Sequence, residues 1–199
     1  MASIDGAVLI KDSRVKEEVN QNFQDLMETY FQQSDGITDA RPQYSYQVGV
    51  TPYGTERARN HIAFVESLVD KPTTPSPSPF DQKWRFFWRI GPRPKVTQFS
   101  SLNMDPVIPK GFPKWEETMN AWGEKMMSSL FVASEMLAVG LDLSPDAFTS
   151  RMEYGPHLLA PTGSNLSFNC EIGTVLAGFH YDLNFLTIHG ALVHILTFL

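Results

Sequence analysis

At 199 residues the chain has the size of one ordinary domain. Its 42% hydrophobic share, with 14 Phe, 6 Tyr and 4 Trp, is core-forming material and excludes a chain disordered by composition. Lys and Arg number 16 against 22 Asp and Glu, a formal charge of −6 that argues against nucleic acid or anionic lipid as the main partner. The single cysteine, Cys170, excludes an internal disulfide and a multi-cysteine zinc cage, and suits a reducing, cytoplasmic setting.

In chain order, Gly6-Ala7-Val8-Leu9-Ile10 reads as a short buried strand. Asp5 before the run and Lys11 after it, with no basic stretch ahead, are not the pattern of a signal peptide. A helix is expected over residues 13–33, where Val15, Val19, Phe23, Leu26, Met27, Tyr30 and Phe31 recur at spacings of three and four. Ser34-Asp35-Gly36 should end it. Residues 36–105 read as irregular, with a Pro-rich loop at 71–79 whose alternating prolines hold the backbone extended and free of ladder hydrogen bonds. Residues 83–90, Lys83-Trp84-Arg85-Phe86-Phe87-Trp88-Arg89-Ile90, mix three basic residues with four aromatics. In an acidic chain this predicts a half-buried strand with its arginines outward, in preference to a base-stacking surface.

A long helix is expected from Trp115 to about Val139, carried by Trp115, Met119, Trp122, Met126, Leu130 and Ala133, with Gly140 as its left-handed end. Ser144-Pro145-Asp146 then resembles a cap with Pro at the first helical position, opening a short helix to Met152. From His157 the texture is that of strands and turns: strands at 157–160, 166–170 and 174–188, and turns at 161–165 and Gly173. Asn165-Leu166-Ser167 matches a glycosylation acceptor by chance, and Cys170 is expected as a buried, inert thiol. The apolar stretch from Phe185 to Leu199 is interrupted by His189, Gly190 and His194 and is shorter than the roughly 20 residues that span a bilayer, so no transmembrane segment is expected.

Residues 174–186 alternate. Val175, Ala177, Phe179, Tyr181, Leu183 and Phe185 take one face of an extended chain, while His180, Asp182 and Asn184 share the other. An imidazole and a carboxylate aimed the same way are two of the three donors of a 2-His-1-carboxylate triad, which leaves open positions on Fe(II). The competing reading is a His and an Asp that only hydrogen-bond on a solvated strand face. His189 lies at the opposite parity, His194 returns too far along a hairpin to join the pair, and His61 and His157 read as surface or turn residues.

The passage Gly178-Phe179-His180-Tyr181-Asp182-Leu183-Asn184-Phe185-Leu186-Thr187-Ile188 resembles the His-X-Asp segment, followed by Leu-Thr, of the Fe(II)/2-oxoglutarate-dependent oxygenases of the isopenicillin-N-synthase-like group. Weaker similarity runs upstream in the same order, through residues 6–15, Met27-Glu28-Thr29-Tyr30-Phe31, Tyr46-Gln47-Val48-Gly49, Phe112-Pro113-Lys114-Trp115 and Leu141-Asp142-Leu143-Ser144. The resemblance implies an α+β fold with a helical N-terminal region (residues 1–156) packed on a partial double-stranded β-helix, or jelly roll. Residues 157–190 would be its first strands and 191–199 a divergent apolar tail.

It also implies an oxidoreductase, a dioxygenase with His180 and Asp182 as metal ligands, Fe(II) as cofactor, 2-oxoglutarate as cosubstrate and a small organic molecule as substrate. The turn at 161–165 lacks the family's Asn-X-Tyr, and the chain contains no Arg-X-Ser clamp for the 2-oxoglutarate carboxylate. In the family that clamp and the second histidine lie several dozen residues beyond the His-X-Asp. The expectation is therefore an isoform truncated at the C-terminus and at the N-terminus, inactive alone, with unpaired strand edges that favour self-association. The alternative is a non-catalytic interaction protein using the Pro-rich loop or the tail, and a weaker third reading makes the tail a membrane-surface anchor.

Overall fold

The computed structural model describes residues 8–59, 63, 66–67, 78–180 and 182–190. Its core forms where two amphipathic helices meet one aromatic strand. Helix α1 (Glu17–Gln33) buries Asn20, Phe23, Met27 and Tyr30, three to four residues apart, and carries Glu17 and Glu18 in its first turn, where the helix dipole favours them. Helix α2 (Trp115–Gly140) answers with Trp115, Met119, Trp122 and Met126. Phe23 stacks on Trp122 at 5.6 Å between ring centroids, and Trp115 sits 4.8 Å from Tyr30 and 4.7 Å from Phe86. Such tilted and edge-on arrangements add to the burial of large rings.

Phe86 comes from the central strand. Strand β2 (Trp84–Arg89) pairs antiparallel on one edge with β1 (Gly49–Thr51), in the register Gly49↔Phe87, Val50↔Phe86 and Thr51↔Arg85. Its other edge takes β3 (Leu158–Leu159) and β4 (Thr162–Gly163), through Trp88↔Leu159 and Trp84↔Gly163. Between those two short strands the Pro161 carbonyl accepts the Phe86 N–H at 3.0 Å, so the pairing is carried past a proline that cannot donate. Helices packed on one antiparallel sheet make the fold α+β. A short helix α3 (Thr149–Met152) leads into β3, and no helix of the described residues is long and apolar enough to cross a membrane.

Several expectations change. Residues 8–10 form no strand, and Leu9 is 98% exposed. Helix α1 starts at Glu17 and not at Ser13, because the Asp12 carboxylate draws in the backbone N–H and guanidinium of Arg14 and folds the approach into a turn. Its end matches: Ser34 donates its N–H to the Tyr30 carbonyl at 2.8 Å, and Asp35 receives the N–H groups of Ile37 and Thr38. In the last turns of α2 the buried positions are Ser129, Ser134 and Ala138 and not Leu130 and Ala133. Their hydroxyls are satisfied, Ser134 by the Leu130 carbonyl at 2.8 Å and Ser129 by Asp12 at 2.7 Å.

The left-handed residue after α2 is Asp142 (φ 57°) and not Gly140, an aspartate being among the few side chains that visit that region. Arg89, expected to face outward, is buried because the carbonyls of Gly155 and Pro92 take its guanidinium. Arg85 stays half-buried, its guanidinium 4.0 Å from the centroid of the Phe87 ring and paired with Glu56.

The strands expected at 166–170 and 174–188 are not formed among the described residues. A strand needs a neighbour to complete its hydrogen bonds, and here the backbone closes on itself: Asn165 accepts the N–H groups of Ser167, Phe168 and Asn169, and Thr174 donates to the Glu171 carbonyl. The described strands do not close into a jelly roll. Cys170, expected to be buried on a strand, is exposed in this irregular stretch. Most of the Pro-rich loop (71–77), His61, Tyr181 and the tail at 191–199 with His194 lie outside the described residues.

Candidate metal centre

Residues 178–190 form a strap held at both ends. At the first end Gly178 is buried and donates its N–H to Asp81 Oδ1 at 2.8 Å. A side chain at this position would meet Ala58 Cβ at 2.7 Å and Ser78 Oγ at 2.8 Å, so only glycine lets the chain come so near. Asp81 is in turn held by Lys83 at 2.6 Å, with Glu56 3.5 Å from the same ammonium, so the strap is tied to a buried charge network just before β2. At the other end Ile188 packs against the core, and Gly190 lies so close to the Trp122 indole that a Cβ would sit 2.6 Å from Cζ2.

The strap carries His180 and Asp182 side by side, both about half exposed, with His180 Nε2 3.5 Å from Asp182 Oδ1. Each has its other polar atom engaged. His180 Nδ1 lies 2.8 Å from the Gly178 carbonyl oxygen, which can only accept, so Nδ1 carries the hydrogen and the lone pair of the neutral ring is on Nε2. Asp182 Oδ2 accepts the Thr187 hydroxyl at 2.5 Å, which leaves Oδ1 as the oxygen that faces His180. An imidazole lone pair and a carboxylate oxygen facing each other repel unless a proton or a metal cation lies between them. A shared proton makes the two an ion pair; a divalent transition metal is the other cation this donor set fits, with the Gly178 carbonyl and the Thr187 hydroxyl placed as orienting partners of the kind such ligands commonly have.

The two residues singled out from the sequence are thus brought together, although the segment is not the strand that was expected to align them. Among the described residues no third His, Cys, Asp or Glu joins them into a metal-holding cluster. His157 does other work: its Nε2 donates to the Met152 carbonyl at 2.8 Å and its ring meets Phe131 edge-on. A cleft of about 480 Å³ between β2 and α2, lined by Arg89, Arg93, Glu116, Asn120 and Glu124 among others, includes neither His180 nor Asp182 in its lining and is a separate feature.

The sequence places Asn184 with the polar face and includes Gly178 and Thr187 in the His-X-Asp passage without a role for either, and it gives no sign of Asp81. Asp81 is 97 positions from Gly178 and no local pattern links them. Thr187 has the wrong parity for a strand, and only the bend at residues 184–185 turns it back toward Asp182.

No protein-family model and no curated protein matches the sequence. Solved structures do. A full-length Neurospora crassa protein, crystallised in complex with alpha-KG, is 14% identical with a TM-score of 0.54; the match covers 84% of this chain and 49% of that one. JOX2, crystallised in complex with 2OG, Fe and JA, is 15% identical with a TM-score of 0.45, over 74% of this chain and 37% of that one. The chain spans about half the length of the Neurospora crassa protein, 49%, and shares its fold.

Proposed function

We propose that this chain is part of a non-haem Fe(II)/2-oxoglutarate-dependent dioxygenase acting on a small organic substrate, with residues 1–156 as its helical region and 157–190 entering the jelly roll. The observation that carries the reading is the facing pair His180 Nε2 and Asp182 Oδ1, 3.5 Å apart, with Nδ1 of the one and Oδ2 of the other already held by the Gly178 carbonyl and the Thr187 hydroxyl. The metal, when bound, would supply oxygen activation coupled to oxidation of 2-oxoglutarate. The chain's own residues supply the rest: Gly178 and Thr187 orient the two ligands, and Asp81 and Trp122 hold the strap that carries them.

With two protein ligands among the described residues and no Arg-X-Ser in the sequence, the chain is expected to be inactive when it acts alone. Anaerobic titration with Fe(II), followed by 2-oxoglutarate and oxygen, tests both parts. Metal binding that is lost in His180→Ala/Asp182→Ala, with succinate formation no higher in the parent chain than in that variant, is the expected result. Binding that ignores both residues would sink the metal-site reading, and succinate above the variant's level would sink the inactivity.

A further inference from the structure

We infer that Thr187 is a positioning residue that decides which oxygen of Asp182 is offered to the metal, and that Asn184 sets the direction of its hydroxyl. The inference rests on the metal-site reading above and goes beyond it, because it concerns residues that touch neither metal nor substrate. The Asn184 side-chain nitrogen lies 2.7 Å from the Leu186 carbonyl oxygen and 2.7 Å from Thr187 Oγ1. A carbonyl only accepts, so the atom facing it is the amide nitrogen and the orientation of the Asn184 amide is settled. That nitrogen only donates, so Thr187 Oγ1 receives its hydrogen bond and the single hydrogen of the hydroxyl must point elsewhere. It points to Asp182 Oδ2, 2.5 Å away.

The relay therefore runs one way, from Asn184 through Thr187 to Asp182, and ends in a short bond to a charged oxygen, the stronger class of hydrogen bond. Asp182 is about half exposed, and without this bond its carboxylate would rotate freely in water and present either oxygen. With Oδ2 engaged, Oδ1 is the one that stays beside His180 Nε2. Thr187 and Asn184 are both exposed and outside the core, so replacing them should leave the fold intact.

The test is Co(II) binding to the full chain, read by titration and by the visible absorption of the bound ion, with the metal-free melting temperature measured in parallel. Removing an orienting partner of a metal ligand commonly costs about 10–100-fold in affinity. Thr187→Val is expected to lose about 10-fold at that lower bound, with an altered Co(II) spectrum and an unchanged melting temperature, and Thr187→Ser to restore both affinity and spectrum. Wild-type affinity and spectrum in Thr187→Val, while His180→Ala/Asp182→Ala abolishes binding, would overturn the positioning role and leave the metal site standing. A loss in Thr187→Val that Thr187→Ser fails to restore, or that comes with a lowered melting temperature, would also overturn it. Undiminished binding in His180→Ala/Asp182→Ala would remove the metal site itself, and the inference with it.

Discussion

Asp12 ties the turn ahead of α1 to the middle of α2. Its carboxylate takes the Arg14 guanidinium and backbone N–H, and Ser129, 117 positions away, adds its hydroxyl at 2.7 Å. Those bonds, Arg14's first and Ser129's second, hold the carboxyl well below its ordinary 3.8. A folded-state value that is depressed means that the unfolded chain binds the proton first, so the stabilisation is complete above the ordinary value and is lost as pH falls toward the folded one. The melting-temperature gap between the wild type and Asp12→Asn should be constant from about pH 8 to about pH 5 and shrink below about pH 4. A gap that instead widened on acidification would show that the bonds do not depress this carboxyl. Residues of this kind were hard to read from sequence, since Asp12 and Ser129 are ordinary polar side chains until the fold brings them together.

The element that carries the proposed metal ligands is the strap at residues 178–190, and one of its two anchors is a buried ion pair. Asp81 and Lys83 expose only 5% and 10% of their side chains, and Asp81 also receives the Gly178 N–H. Removing one member of a buried pair costs up to about 3–5 kcal/mol when the other charge is left alone, less here because Glu56 still faces Lys83, whereas replacing both members with apolar residues is often neutral. Asp81→Ala, which also orphans the buried Gly178 N–H, should therefore lower unfolding stability by about 1–3 kcal/mol in denaturant titration. Asp81→Leu/Lys83→Met should recover most of that stability but not the metal affinity, because the acceptor that places Gly178 is still gone. If the double variant binds metal as well as the wild type does, Asp81 has no part in placing the strap. The adjacency of His180 and Asp182 was legible from sequence, while the expected strand was not realised. Alternation put His180, Asp182 and Asn184 on one face of an expected strand, but with no pairing neighbour among the described residues the segment bends at 184–185 instead of extending.

Across the described residues one core supports both the fold and the strap that carries the proposed ligands. Trp122 stacks on Phe23 of α1 and also forms the seat of Gly190 at the end of the strap. Trp122→Ala should cost about 3–5 kcal/mol through lost burial and the cavity left behind. It should weaken Co(II) binding even at temperatures where the variant is fully folded, since the strap loses one of its two anchors. Denaturant unfolding followed by metal titration of the folded variant checks both parts. Undiminished affinity would show that the Asp81 anchor suffices.

Helices α1 and α2 and strand β2 were readable because each follows from periodicity within a few turns of chain: Phe23, Met27 and Tyr30, or Trp115, Met119 and Trp122, have to be buried together once helical. The donors His180 and Asp182 were readable for the same reason, being two positions apart. Sequence alone determined those elements and that pair. Tertiary structure decided which atoms of the pair remain available, because that depends on the Gly178 carbonyl, on Thr187 turned back by a bend, and on Asp81 reaching across 97 positions. Contacts between residues so far apart are set by how the chain packs, and local spacing carries no trace of them.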